Sequence, residues 1–189
     1  MIAKIDVIIP CYNCGRFLTE TLESVRRQRG DFKIREIVVV DDRSDDPQTV
    51  LVLDEIDQDG WARVVQNHGA KGAASARNTG FRKTASAWVI FLDGDDLLAD
   101  DSIQQRIDVL KEYPDAVWIG GDMTHIDADG RAEPVTFFRS RPRPSQALRT
   151  AFATDQVVVY PRPVRLFLDT CLSQVGAAMI KRDLIEAIG

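Results

Sequence analysis

Three carboxylates crowd into four residues at Asp93-Gly94-Asp95-Asp96, directly after the apolar run Trp88-Val89-Ile90-Phe91-Leu92. Like charges this close repel and raise one another's pKa unless a cation or hydrogen-bond donors compensate. A divalent metal is the simplest compensator, because hard cations take carboxylate oxygens. A solvated loop is the competing reading, yet a loop has no need of such acid density. The pattern recurs upstream, where Ile37-Val38-Val39-Val40 runs into Asp41-Asp42. In open α/β sheets ligands bind outside the carboxyl ends of the parallel strands. Two acid-tipped strands therefore predict one shared site.

The elements that would carry these acids alternate along the chain. Lys4 to Ile9 reads as a first strand, and Leu18, Leu22 and Val25 recur at the spacing of one helical face. Ile34 to Val40 is nearly all apolar, as a central parallel strand buried on both faces should be. Asp46-Pro47 supplies an N-cap and a first-turn proline for a helix through Ile56. Arg63 to Gln66 is a short third strand, followed by the loop Asn67 to Gly72 and a helix with Ala73, Ala76 and Gly80 along one side. Trp88 to Leu92 is the fourth strand, and Ser102-x-x-Gln105 is a capping-box signal for a helix aligning Ile103, Ile107 and Leu110. Ala116 to Gly120 reads as a fifth strand, Asp127-Ala128-Asp129-Gly130 as a turn, and residues 139–165 as an irregular Pro- and Arg-rich excursion. Gln174 to Ile180 returns as a strand before a last helix, Arg182 to Ile188. Strand and helix in this rhythm predict a doubly wound, mostly parallel sheet flanked by helices.

Composition narrows the function. With 189 residues, 44% hydrophobic and 28% charged, the chain can bury one sizeable core. Its 24 basic residues against 29 acidic ones leave a net charge of -5, so no global field draws nucleic acid. The cluster Arg139, Arg141, Arg143 and Arg149, broken by prolines, reads as a solvated loop, with a membrane-surface or anionic-substrate patch as the alternative. No apolar run is long enough to span a bilayer, and Met1 to Asp6 lacks a signal-peptide profile, so the expected location is the cytoplasm or the inner face of a membrane. Cys11-x-x-Cys14 invites a redox or zinc reading, but it lacks the second ligand pair that structural zinc requires. Cys11 is expected as a small buried residue and Cys14 as a helix-entry residue.

The first strand-to-helix turn, Pro10-Cys11-Tyr12-Asn13-Cys14-Gly15, contains neither Gly-x-Gly-x-x-Gly nor a P-loop. An aromatic ring and an amide suit stacking on and hydrogen-bonding a base better than cradling phosphate. Together with Ile37 to Asp45, Gly72 to Asn78 and Phe91 to Asp96, this turn resembles the family 2 glycosyltransferases of GT-A fold. The likeness covers about the first 130 residues well and Val175 to Ile180 more loosely. It implies a Rossmann-like GT-A domain over 1–189, with 1–115 as the nucleotide-sugar-binding half and 116–189 as the start of an acceptor-side half.

By that resemblance, Pro10, Tyr12, Asn13 and Asp42 would line the base pocket, usually for uracil, with Asp42 accepting from the ring N–H. Arg77 would reach the base or diphosphate, Asp93 and Asp95 the nucleotide sugar, and Asp95 and Asp96 the metal, Mn2+ or Mg2+. The cation would bridge the diphosphate of a nucleotide-diphosphate sugar and act as Lewis acid as the glycosidic bond breaks. The sugar would pass with inversion to a saccharide or lipid-linked acceptor hydroxyl, with peripheral membrane contact and no nucleic-acid partner. Bland readings stand beside these. Asp41 or Asp45 would cap the following helix, Arg77 would face solvent, Tyr12 would pack in the core, and Gly69 and Gly72 would serve backbone geometry alone. His68 and His125 are too isolated to build a site.

An inverting transfer also needs a carboxylate base near the acceptor hydroxyl. In the family that base lies past a Gly-Gly-Phe-Asp-Glu-like stretch, which would start about where Gly189 stands, so the sequence reads as the N-terminal part of a longer transferase. Asp122 and Asp169 are the in-chain fallbacks. Two other classes compete: a nucleotidyltransferase, which would want a Gly-rich basic loop after the first strand, and a non-catalytic nucleotide-sugar-binding domain.

Overall fold

The computed structural model describes residues 2–137 and 178–188. Among them a six-stranded sheet runs in the order β3-β2-β1-β4-β6-β5. The strands are β1 (Ala3–Cys11), β2 (Phe32–Asp41), β3 (Arg63–Gln66), β4 (Trp88–Phe91), β5 (Trp118–Gly120) and β6 (Ala178–Lys181). The helices are α1 (Phe17–Arg27), α2 (Pro47–Asp59), α3 (Ala73–Lys83), α4 (Ser102–Glu112) and α5 (Arg182–Ile188). Strands β3, β2, β1 and β4 pair in parallel, while β6 runs antiparallel to β4. The sheet is thus mostly parallel, as its apolar strands required.

Burial on both faces explains that sequence pattern. Ile5, Val7 and Ile9 of β1 pack with Leu18, Leu22 and Val25 of α1, Val52 and Leu53 of α2, and Ile103 and Ile107 of α4. Ile8, Val38, Val40 and Val89 face the other way, toward Ala76 of α3 and Leu184 and Ile185 of α5. Gly80 brings α3 against the sheet: a Cβ there would stand 2.4 Å from Ile8 Cγ2. Ala73, grouped with Ala76 and Gly80 by spacing, is exposed at the start of α3.

A carboxylate sits at full burial inside this sheet. Asp6 of β1 is fully buried, and its carboxylate accepts from Ala85 N–H, Ser86 N–H and the Ser86 hydroxyl at 2.6 to 2.9 Å. It therefore fixes the turn between α3 and β4, because a buried carboxylate is tolerable only when donors surround it.

Helix starts follow local chemistry, with two corrections. Asp46 caps α2, its carboxylate accepting from Thr49 N–H and the Thr49 hydroxyl at 2.8 Å each, with Pro47 in the first turn. Asp41 and Asp45 are spent elsewhere, so neither caps. The Ser102-Gln105 capping box does not form. The N-cap position of α4 is Asp101, one residue earlier; its side chain makes no capping bond to the backbone, but its carbonyl accepts from Gln105 N–H and its carboxylate from Gln105 Nε2 at 2.7 Å. Ser102, already inside the helix, accepts from Arg106 instead.

Two compact units divide the chain, Met1–Ile119 with Ala178–Gly189, and Gly120–Ala177. Both β6 and α5 belong to the first unit, β6 through its antiparallel pairing with β4. In the second unit, the turn at Asp127 is present: Ile126 bridges Ala132, and Gly130 N–H donates to the Asp127 carbonyl. The Arg cluster of 139–149, Asp169, Cys171 and residues 174–177 of the expected last strand lie outside the described residues.

Candidate functional site

The strand order reverses between β1 and β4, and at such a switch point the flanking loops splay apart to leave a crevice. A cavity of about 1000 Å³ occupies the carboxyl ends of the strands there. Pro10, Tyr12, Asn13, Asp42, Arg77, Asp93 and Asp95 all line it, from four separate segments of sequence. Of the expected binding residues only Asp96 is not among the lining groups; it is exposed, and its N–H donates to the Asp93 carbonyl at 3.0 Å to close the acid turn.

Tyr12 is 45% exposed, which rules out core packing. The Lys71 ammonium lies 3.8 Å from its ring centroid, a cation–π contact that ties the loop after β3 to the loop after β1. Asn13 spends its amide on the neighbouring loop: Nδ2 donates to Asp45 at 2.8 Å, and Oδ1 accepts from the N–H groups of Asp45 and Asp46. Its φ of 52° is one that asparagine tolerates better than most residues.

Asp42 is only 4% exposed and is held from two sides, by Asn67 Nδ2 on Oδ1 and by Gly72 N–H on Oδ2, each at 2.6 Å. Each carboxylate oxygen can accept more than one bond, so capacity for a ligand N–H remains. Gly72 accordingly does more than supply its φ of 131°. Asp41, one residue earlier, is spent on Ser44 N–H and Gln66.

Asn67 was not marked by sequence as a site residue. It is 1% exposed, and besides Asp42 it donates to the Ala70 carbonyl and accepts from Gly69 N–H, Ser75 and Thr79. The available signal was a lone amide directly after a strand, at the start of a glycine-bearing loop.

Arg77 forms an ion pair with Asp93 rather than facing solvent, and its Nε–H is buried with no acceptor among the described residues. Such an orphaned donor costs about 1–3 kcal/mol. Asp95 is exposed and lines the cavity. Among the described residues no three carboxylate, imidazole or thiol groups converge into a closed cation cage. Divalent magnesium is commonly held by one or two carboxylates plus substrate phosphates. The carboxylate of Asp95, exposed and on the cavity wall, fits that mode.

Cys11 is buried, as expected, and Cys14 leads into α1 through a bond from Phe17 N–H to its carbonyl. The neighbouring Cys14 thiol, with burial, pushes the Cys11 thiol far up, while Cys11 holds Cys14 below the usual thiol range. Asp122 is exposed in the second unit, its carboxylate accepting from Met123 N–H at 2.8 Å. No helix among the described residues is long and apolar enough to cross a membrane.

Known proteins share this framework. The chain is 32% identical over 137 residues to the poly(ribitol-phosphate) beta-N-acetylglucosaminyltransferase TarP of Staphylococcus aureus (strain N315), covering 71% of this chain and 41% of that one. It superposes on the crystal structure of S. aureus TarS 1-349 in complex with UDP-GlcNAc with a TM-score of 0.64 at 22% identity, over 98% of this chain and 47% of that one. The mannosyltransferase PcManGT from Pyrobaculum calidifontis, in complex with GDP-Man and Mn2+, gives a TM-score of 0.62 at 21% identity, over 100% and 47%. At these identities the structural likeness speaks to the fold, an α/β sheet of GT-A type. The chain spans less than half the length of the curated relatives it matches. Residues 6–176 match the family model described as Glycosyl transferase family 2, and the chain belongs to that family.

Proposed function

We propose that this domain binds a nucleotide-diphosphate sugar, with a UDP-sugar as first choice, and serves its transfer to an acceptor hydroxyl with inversion. One observation carries the reading: Tyr12, Asp42, Arg77, Asp93 and Asp95, distant in sequence, line a single cavity at the sheet's switch point.

The base stacks on the exposed ring of Tyr12, and Asp42, held by Asn67 and Gly72, accepts the base N–H. The orphaned Nε–H of Arg77 takes a base carbonyl or phosphate oxygen, an acceptor that the described protein groups do not supply. Asp93, oriented by Arg77, faces the same cavity and is assigned to the ribose and sugar side with Asp95. Asp95 and Asp96 are the residues that would hold Mn2+ or Mg2+, which supplies Lewis-acid charge neutralisation on the diphosphate when bound. Support for the donor class comes from the neighbours seen with UDP-GlcNAc and with GDP-Man and Mn2+. A saccharide or lipid-linked acceptor of cell-envelope polysaccharide type is consistent with TarP and with the minor teichoic acid biosynthesis protein GgaB.

Calorimetric titration with UDP, GDP and their sugars, with and without Mn2+, tests the reading. Metal-enhanced binding of UDP that is lost in Asp95→Asn is expected. Binding indifferent to metal, or none, would remove the Asp95 and Asp96 assignment.

A further inference from the structure

Two thiols stand in the wall of the cavity, and nucleotide-sugar binding leaves both unused. Cys11 ends β1 and is 1% exposed, whereas Cys14 is half-buried; both line the cavity, both are free, and both pack into the same apolar cluster. The chain between them bends at Tyr12 and Asn13. Asn13 N–H donates to the Ser44 hydroxyl at 3.1 Å and its side chain to Asp45 at 2.8 Å, so the bend is pinned by the loop after β2 and not by the sulfurs themselves. Cys14 also supports the acid turn. A Cβ at Gly94 would stand 2.7 Å from Cys14 Sγ and 3.1 Å from the Pro10 carbonyl oxygen, so Gly94 rests directly on that sulfur.

We propose that Cys11 and Cys14 form an oxidisable dithiol, a modification site that a low-molecular-weight disulfide converts to an intramolecular disulfide, and that its closure unseats the acid turn and weakens nucleotide binding. The second half rests on the donor-site reading above; the first does not. Cys14, the reachable thiol, attacks the oxidant as thiolate and forms a mixed disulfide, expelling one small thiolate. Cys11 then attacks the Cys14 sulfur and expels the second. Two cysteine thiols and one small disulfide become one protein disulfide and two small thiols, the cysteine protons leaving with the expelled groups. A disulfide brings the sulfurs to about 2.05 Å. That is shorter than any non-bonded sulfur contact, so closure shifts Cys14 Sγ from its place against Gly94.

The test uses the whole chain carrying Cys171→Ser, which leaves the pair as its only cysteines. After incubation with oxidised glutathione and an acid quench, intact mass is expected to fall by two hydrogens, about 2 Da. Dithiothreitol reverses the change, and Cys14→Ser abolishes it. UDP titrated with Mn2+ is expected to bind the oxidised form about tenfold more weakly than the reduced form, a cost in line with displacing a positioned group by a fraction of a bond length. No mass loss in the folded protein, under conditions that oxidise a urea-unfolded sample, overturns the dithiol, as does a persistent glutathione adduct. Full oxidation with unchanged UDP affinity overturns the coupling to the acid turn. If the reduced protein binds no UDP, the donor-site reading fails, and the mass result still decides the dithiol.

Discussion

Removing one side chain, in Asn67→Ala, tests whether the base pocket is a built assembly or a set of independent surface groups. Asn67 Nδ2 donates to Asp42 at 2.6 Å and to the Ala70 carbonyl at 3.0 Å, while Oδ1 receives Gly69 N–H at 3.1 Å. At 1% exposure the site admits little water to replace these bonds. A hydrogen bond to a charged group contributes about 1.5–3 kcal/mol and a neutral one about 0.5–1.5 kcal/mol. The hydroxyls of Ser75 and Thr79 can rotate to other acceptors, so the three remaining bonds set a loss of about 2.5–6 kcal/mol. Urea unfolding of the ligand-free protein, followed by circular dichroism, reads that loss directly, since the midpoint falls in proportion. A loss below about 1 kcal/mol would refute the network as the thing that holds Asp42. Asn67→Asp supplies a second arm. It keeps the shape but sets a carboxylate against Asp42, and two carboxyls at that separation share one proton. Its stability is therefore expected to recover as pH falls toward about 5, a trend that a mere packing defect would not produce.

Three further outcomes follow from the geometry. Tyr12→Ala should leave unfolding nearly unchanged, because the ring is 45% exposed, yet cost UDP about 1–3 kcal/mol of affinity through lost stacking, read by calorimetry. Gly80→Ala gains about 1 kcal/mol of helix propensity but drives a Cβ to 2.4 Å from Ile8, an overpacking at the upper end of about 1–3 kcal/mol, so a net fall in Tm is expected. Asp46 is held below its usual 3.8, first by the Thr49 hydroxyl and then by the Thr49 N–H. A depressed folded pKa means that the cap stabilises fully above pH about 4 and is lost as pH falls through the folded value, so Asp46→Ala should lower stability across the neutral-to-basic side, converge with the unsubstituted chain at acid pH, and so flatten the acid limb of the profile.

Much of the framework was already in the one-dimensional pattern. Apolar runs such as Val7-Ile8-Ile9 and Val38-Val39-Val40 can only be parallel strands buried on both faces, and Leu18, Leu22 and Val25 can only turn one helical face inward. These rules are local, with periods of two or 3.6 residues, so they survive without tertiary information. The same locality fixes the bounds of Arg63 to Gln66 and Arg182 to Ile188, and it leaves the start of α4 open by one residue because Asp101 and Ser102 are both residue types that favour an N-cap.

The acid-tipped strands and the Tyr12 turn were legible as one site because the carboxyl ends of parallel strands share an edge of the sheet. What tertiary structure alone decided is which polar partner each group meets. Asn67 on Asp42, Arg77 on Asp93, Asn13 on Asp45 and Lys71 on Tyr12 join residues at least sixteen apart in sequence. No propensity or period encodes such pairs, since a hydrogen bond depends on position in space to a few tenths of an ångström. The antiparallel return of β6 beside β4 is of the same kind: strand adjacency is set by how the sheet edge and the helix faces close around a common core, and the sequence carries only the apolar Ala178-Met179-Ile180 that this closure buries.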